Sequence, residues 1–256
     1  MFPLRVSMVT YNLWGSEKWP EREPALRLFG ERYRPDVLCV QELTTESRAC
    51  LDAVLPSHHR VEDPFTGWAT EGNIWWSDEL FDLVEYGAER FTTDEASDQR
   101  MFWVRLAPKD RPQTFFVGNV HLSAPGPVEI GEGRSERVSE IKRVIDHLRR
   151  LVQEDEPATL MGDFNDSLAP LSHLFVAGYH SCWAKLSQIP PPTMPAFPDR
   201  VLAMGFATNF VFDWIVANGM TRPLSASCPQ VYSGYVPPSD HWPVQAVYEL
   251  LEGPKE

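Results

Sequence analysis

The chain has 256 residues, of which 43% are hydrophobic and 23% charged, and 23 basic against 36 acidic side chains leave a net charge of −13. Such a composition excludes wholesale disorder. The acidic balance argues against wide non-specific nucleic-acid binding, because neutralising phosphates needs clustered Lys and Arg, and leaves room for a local basic patch and a nucleic-acid substrate. No apolar run reaches the roughly 18 residues of a membrane span, and residues 1–10 carry only Arg5 before running into a strand-like pattern, so neither a transmembrane helix nor a secretory signal is expected.

In chain order, alternation predicts a strand over residues 5–14. A short helix over 24–34 ends before Pro35, which cannot continue it. A buried strand follows over 36–41, and then a helix over 46–55. Strands are predicted over 73–77, 81–91, 101–107 and 114–122 without long helices between them. The strongest helix covers 135–153, where Val138, Ile141, Ile145, Leu148 and Val152 form one apolar stripe. A buried strand over 158–161, a helix over 168–177 and late strands over 210–217 and 242–250 complete the pattern. The segment 189–198 holds five prolines and reads as an extended surface loop beside a site. Hairpin-like strands mixed with crossover helices give an α/β class with mixed sheets covered by helices. No linker divides residues 1–256, so one domain is expected.

One pattern repeats along the chain. An apolar strand ends, and a carboxylate, amide or imidazole follows at its tip: Asn12, Gln41-Glu42, His121, Asp163-Phe164-Asn165 and Asp213. Asp240-His241 precedes the last strand. A single strand-end Asp is most simply a turn former. The repetition is better explained by polar groups converging on a crevice at the ends of the strands. Glu42, Asp240 and the amide of Asn12 are hard oxygen donors of the kind that suit magnesium or manganese, completed by substrate phosphate. His121 and His241 can carry protons or donate hydrogen bonds near neutral pH. A metal with His/Asp pairs is the equipment of phosphoryl transfer.

The set Tyr11-Asn12, Gln41-Glu42, Asn119-Val120-His121-Leu122, Gly162-Asp163-Phe164-Asn165, Phe212-Asp213-Trp214-Ile215 and Ser239-Asp240-His241-Trp242-Pro243 resembles the endonuclease/exonuclease/phosphatase superfamily, the deoxyribonuclease I-like fold, in order and over nearly the whole chain. The resemblance implies a four-layer α/β sandwich, two mixed sheets face to face with helices outside. It implies Glu42 as the main ligand of a magnesium ion, manganese being the alternative, with Asn12 and Asp240 nearby. Asp163 would position or deprotonate the attacking water, and Asn165 would hold a phosphate oxygen. His241, oriented by Asp213, would contact the phosphate, and His121 would bond a phosphate oxygen or assist the leaving group. Trp14 stands where several nucleases of the superfamily have Asp.

Other residues are weighed beside these. Residues 134–150 hold six basic and three acidic side chains, a solvated helix face by default, within which Arg137 is a phosphate-contact candidate. Arg100, just before a strand, is a second. Trp14, Trp214 and Trp242 flank motif residues and either pack under the site or line it, with Trp242 the candidate for substrate contact. An EF-hand reading of Asp163–Ser167 fails, because Leu168 and Leu174 stand where Gly and Glu are required. The four cysteines lack metal spacing, and a reducing cytoplasm is expected. The expected activity is hydrolysis of a small or end-presented phosphodiester by a monomer. A DNA-repair or RNA-processing nuclease and a non-catalytic binding module are the alternatives. Segments 66–73, 125–134 and 189–204 are expected to set substrate choice.

Overall fold

Parity along the first strand, β1 (Leu4–Asn12), sorts its side chains onto two faces. Val6 and Met8 enter the core layer shared by both sheets, while Val9 and Tyr11 face the other way. The structure is a computed structural model that describes residues 3–92, 98–124, 132–197 and 210–251. Helix α1 (Glu23–Tyr33) leads to β2 (Val37–Gln41), and α2 (Thr45–Val54) to β3 (His58–Arg60). Next come α3 (Gly67–Thr70), β4 (Gly72–Ser77), β5 (Phe81–Arg90), β6 (Arg100–Pro108) and β7 (Phe115–His121). The long helix α4 (Glu132–Leu151) crosses to β8 (Ala158–Asp163). Then follow α5 (Ala169–Val176), β9 (His180–Ser181), α6 (Cys182–Lys185), β10 (Asp213–Ala217), β11 (Thr221–Ser227) and β12 (Val244–Leu250).

The strands form two six-stranded sheets, ordered β11-β12-β1-β2-β4-β3 and β5-β6-β7-β8-β10-β9. Both are mixed: β1 runs parallel to β2 and β7 parallel to β8, while the other pairs are antiparallel. Val6, Met8, Val37 and Cys39 meet Val104, Phe115 and Val117 in the core between the sheets. On the outer face of the first sheet, Val9, Tyr11, Leu38 and Val40 pack against Leu26 and Phe29 of α1 and Cys50 and Leu51 of α2. Helix α4 buries Ile141, Ile145 and Leu148 as its stripe requires, and the stripe's ends, Val138 and Val152, are half-buried. This is the expected four-layer sandwich. Among the described residues no helix is long and apolar enough to cross a membrane.

The expected elements are present with ends shifted by a few residues. Strand β11 escaped the sequence reading, because it carries Pro223 at a register shift and a largely exposed, non-alternating sequence. It is an edge strand, where such residues are tolerated. The proline-rich segment also differs from the expected surface loop. Thr193, Ala196 and Phe197 are buried, and an isolated bridge joins Met194 to Phe210. Phe212 and Asp213 both donate their backbone N–H to the Thr193 hydroxyl, which fastens the segment to the start of β10. Pro198 lies outside the described residues.

Candidate active site

Parallel pairing places strand tips together. The β1–β2 register sets Asn12 beside Gln41, so Glu42 follows at the same edge. The β7–β8 register sets His121 beside Asp163, and antiparallel β10 begins with Asp213 opposite the same Asp163. Gly162 makes that register possible. Its φ is +151°, and a Cβ there would lie 1.9 Å from the Val120 carbonyl oxygen. The two sheets are tied beneath the site by buried amides. Gln41 donates to Asn119 Oδ1 at 2.7 Å, and Asn119 donates to the Val40 carbonyl at 2.8 Å.

The centre of the cluster is the Asn12 amide. Its Nδ2 donates to Glu42 Oε1 and to Asp163 Oδ2, each at 2.9 Å, and so holds two carboxylates side by side. Its oxygen accepts the Trp14 N–H at 2.9 Å. In this geometry the Asn12 amide holds the two carboxylates in line. Glu42 adopts a left-handed φ of 52°, a costly conformation for a non-glycine residue that aims its carboxylate past the strand end. His121 Nε2 lies 3.6 Å from Asp163 Oδ2 and 4.0 Å from Glu42 Oε1. On the other side, His241 Nε2 lies 3.9 Å from the same Asp163 oxygen, and its Nδ1 is hydrogen-bonded to Asp213 Oδ2 at 2.8 Å. Asp163 Oδ1 accepts the Asn165 N–H, and Asn165 Nδ2 donates to the Leu122 carbonyl.

His241 and Asp213 are fully buried together. Burial by itself would lower the imidazole pKa, but Asp213, and then Asp163 and Asp240, outweigh it and hold it up to about 10. Burial pushes the Asp213 carboxyl up, against the pull of His241. A pH dependence follows for the metal-free protein. The folded state binds the His241 proton more tightly than the unfolded chain, whose histidine titrates near 6.5, so this stabilisation is complete below pH 6.5 and is lost as pH rises toward about 10. Denaturation midpoints measured in a chelator should therefore fall across that window. The fall should be shallower in His241→Gln, and equal slopes would contradict the paired imidazolium.

The substrate-contact candidates fare unequally. Arg100 borders a cavity that opens beside Glu42 and His121. Arg137 is buried, 3.4 Å from Asp166 Oδ2 and 3.3 Å from the Ser123 carbonyl, and so ties the loop after His121 to the turn after Asn165. Trp242 is buried edge-on against Tyr232, and its backbone N–H donates to the Thr193 carbonyl. Asp240 is buried next to His241, and its charge acts on Arg22, Tyr11 and His241.

Arg22 was invisible to the sequence reading, because the residues that give it meaning lie in another part of the chain. It is fully buried and donates to the carbonyls of Leu13, Gly15 and Glu17 after β1 and to that of Pro238 just before Ser239-Asp240-His241. Its guanidinium also lies 5.2 Å from the Trp14 ring and 5.6 Å from the Trp19 ring. Ser239 completes the clasp by donating to the Asn12 carbonyl at 2.7 Å. Arg22 therefore holds the Asp240–His241 loop against the tip of β1. Arg22→Lys keeps the charge but loses the fork, and should cost about 3 kcal/mol in denaturation, since hydrogen bonds to a buried charge are worth about 1.5–3 kcal/mol each. Unchanged stability would refute the clasp.

Two facing mixed sheets that bring carboxylates, amides and imidazoles to one end define a deoxyribonuclease I-like sandwich. The profile of the Endonuclease/Exonuclease/phosphatase family matches residues 9–241, and the chain belongs to this family. Solved structures agree on the fold. A family member from Bacteroides thetaiotaomicron superposes with a TM-score of 0.79 at 18% identity, covering 98% of this chain and 99% of that one. TDP2 from D. rerio, complexed with a single-strand DNA product, gives 0.79 at 17% identity, with 96% and 99% covered. A mannosyl-6-phosphatase from Bacteroides thetaiotaomicron gives 0.76 at 17% identity, with 95% and 99% covered. No curated protein matches the chain significantly by sequence.

Proposed function

We propose that this chain is a divalent-metal-dependent phosphoesterase that hydrolyses a phosphodiester carried by a small or end-presented substrate. The observation that carries the reading is the Asn12 amide holding the Glu42 and Asp163 carboxylates together, with His121 and His241 approaching Asp163 from either side. Phosphoester hydrolysis is typical of the family.

The residues fit a hard divalent ion. Glu42, Asp163, Asp213 and Asp240 bring four carboxylates to one end of the sheets, and the protonated His241 compensates for only part of that charge. Such oxygen donors suit magnesium, with manganese as the alternative. Ligand atoms of Asp163, Asp213 and His241 lie within 4.8 Å of one another, close enough to share an ion. The Asp213–His241 hydrogen bond already occupies two of those groups, so Glu42, with Asp240 nearby, is the better holder. When bound, the ion would supply Lewis-acid stabilisation of charge on the phosphate oxygens. The side chains do the rest. Asp163, held in place by the Asn12 amide, orients the attacking water and accepts its proton. His241, fixed by Asp213, donates to a non-bridging oxygen as negative charge develops there. Asn165 steadies the phosphate, and His121, a third exposed, assists the departing alkoxide.

A net charge of −13 argues against internal cleavage of long duplex DNA. So does the pairing of Arg100 with Asp98 and of Arg137 with Asp166. All seven motif residues, Asn12, Glu42, Asp163, Asn165, Asp213, Asp240 and His241, are present, which argues against a non-catalytic module. The described cysteines are free thiols, in keeping with a proposed cytoplasmic location, and we propose a monomer. A magnesium-dependent hydrolysis screen tests the reading, covering an aryl phosphodiester, sugar and inositol phosphates, sphingomyelin, a 5′-phosphotyrosyl DNA end, RNA and supercoiled plasmid. Turnover of a small ester, abolished by Asp163→Asn, supports it. Efficient plasmid nicking with the same dependence would move the assignment to a nuclease.

A further inference from the structure

Beside the catalytic cluster lies a cavity of about 330 Å³, entered past Glu42 and His121 and bounded by the tips of β2, β4 and β7 and the start of β6. That is the lower end of the range for small-ligand sites. Among the described residues its lining sets the carboxylates of Glu42, Glu71 and Asp98 beside the Gln99 amide and the His121 ring. Arg100, its one guanidinium, is already committed: it donates to both Asp98 oxygens at 3.0 and 3.1 Å and to the Ala88 carbonyl at 3.0 Å, and its flat face covers Phe65 at 4.6 Å. Arg90, which does not line the cavity, reaches Asp98 from outside at 3.5 Å.

An independent observation comes from Gln41, which also borders the cavity. It is 1% exposed, and its Nε2 donates to Thr10 and Asn119, while its Oε1 has no partner among the described residues. A buried acceptor left unpaired costs about 1–3 kcal/mol, so such a site favours a ligand that supplies a donor. Glu71 adds a carboxylate whose pKa burial, and then Asp98, raise above the usual range. Phe102 gives the cavity an apolar wall.

We propose that this cavity receives the substituent on the far side of the scissile phosphoester and selects one rich in hydrogen-bond donors, hydroxyl or ammonium, with no second negative charge. The proposal rests on the phosphoesterase reading for its chemistry but on the cavity for its selectivity. A second phosphate would face Glu71 with Arg100 already held by Asp98, whereas a polyol or aminoalkyl group would find the Glu71 carboxylate and Gln41 Oε1 as acceptors.

The test uses the full chain with magnesium and four aryl phosphodiesters, whose second group is aryl (the reference), glucosyl, aminoethyl or phosphoethyl. The glucosyl and aminoethyl esters should exceed the phosphoethyl ester at least tenfold in kcat/KM. Glu71→Lys should shift that ratio toward the phosphoethyl ester at least tenfold. Equal kcat/KM across the three substituents, or an unmoved ratio in Glu71→Lys, overturns the proposal. Calorimetric binding of the matching methylphosphonate monoesters reads the cavity without hydrolysis. If no ester is turned over, the phosphoesterase reading falls, while the order of these affinities still decides the cavity's preference. Circular dichroism of Glu71→Lys confirms that a changed ratio comes from a folded variant.

Discussion

Glu42→Gln is expected to abolish activation by magnesium. The substitution removes one negative charge yet keeps an oxygen to accept the Asn12 amide, so the 2.9 Å contact and the left-handed backbone survive. What is lost is the carboxylate best placed to hold the ion, because it is the one cluster carboxylate that is substantially exposed, at 36%. Charge stabilisation by a metal is worth several kcal/mol at the transition state. At about 1.4 kcal/mol per tenfold, the rate should fall on the order of 10²–10⁴-fold. Magnesium titration by calorimetry should lose its binding isotherm in the same variant. An unchanged isotherm together with an unchanged rate would remove Glu42 from the metal site.

The second large effect concerns Asp213 and His241. Their 2.8 Å hydrogen bond is buried, and Thr193 fixes the Asp213 backbone from the proline-rich segment. Asp213→Asn removes the charge that outweighs the cost of burying an imidazolium, so His241 should lose its proton near neutral pH. His241→Gln removes the donor itself. Each should lower kcat on the order of 10²–10⁴-fold, the range for positioned acid–base and electrostatic groups. The double variant should be scarcely worse than the poorer single one, because the residues act as a unit. In Asp213→Asn the residual activity should rise as pH falls, as His241 regains its proton. Multiplicative losses with a flat pH profile would show two independent residues.

The site was largely legible in the sequence because its residues sit where strands end, and strand ends can be read from alternation. Asn12, Glu42, His121 and Asp163 each close or follow an apolar run, and the structure brings those four within contact of one another. The Asp213–His241 pair was expected as well and is present. Arg137 and Trp242 are each buried against a partner that local pattern cannot show, Asp166 in one case and Tyr232 in the other. Of the expected substrate segments 125–134 and 189–204, residues 125–131 and 198–204 lie outside the described residues, whereas Thr70, Glu71 and Gly72 of segment 66–73 line the cavity.

The sequence by itself determined the alternation of strands and helices, the mixed α/β class and the identity of the chemical groups at the strand tips. Those follow from local periodicity and residue type, which act over a few residues. The tertiary structure alone decided which groups meet. It made the Asn12 amide the tie between two carboxylates, and it revealed Arg22 as the clasp between residues 13–17 and Pro238. It also left Gln41 Oε1 without a partner among the described residues, beside the cavity. The physical reason is that hydrogen bonding and burial are satisfied between segments hundreds of residues apart, and a local pattern carries no record of its distant partner.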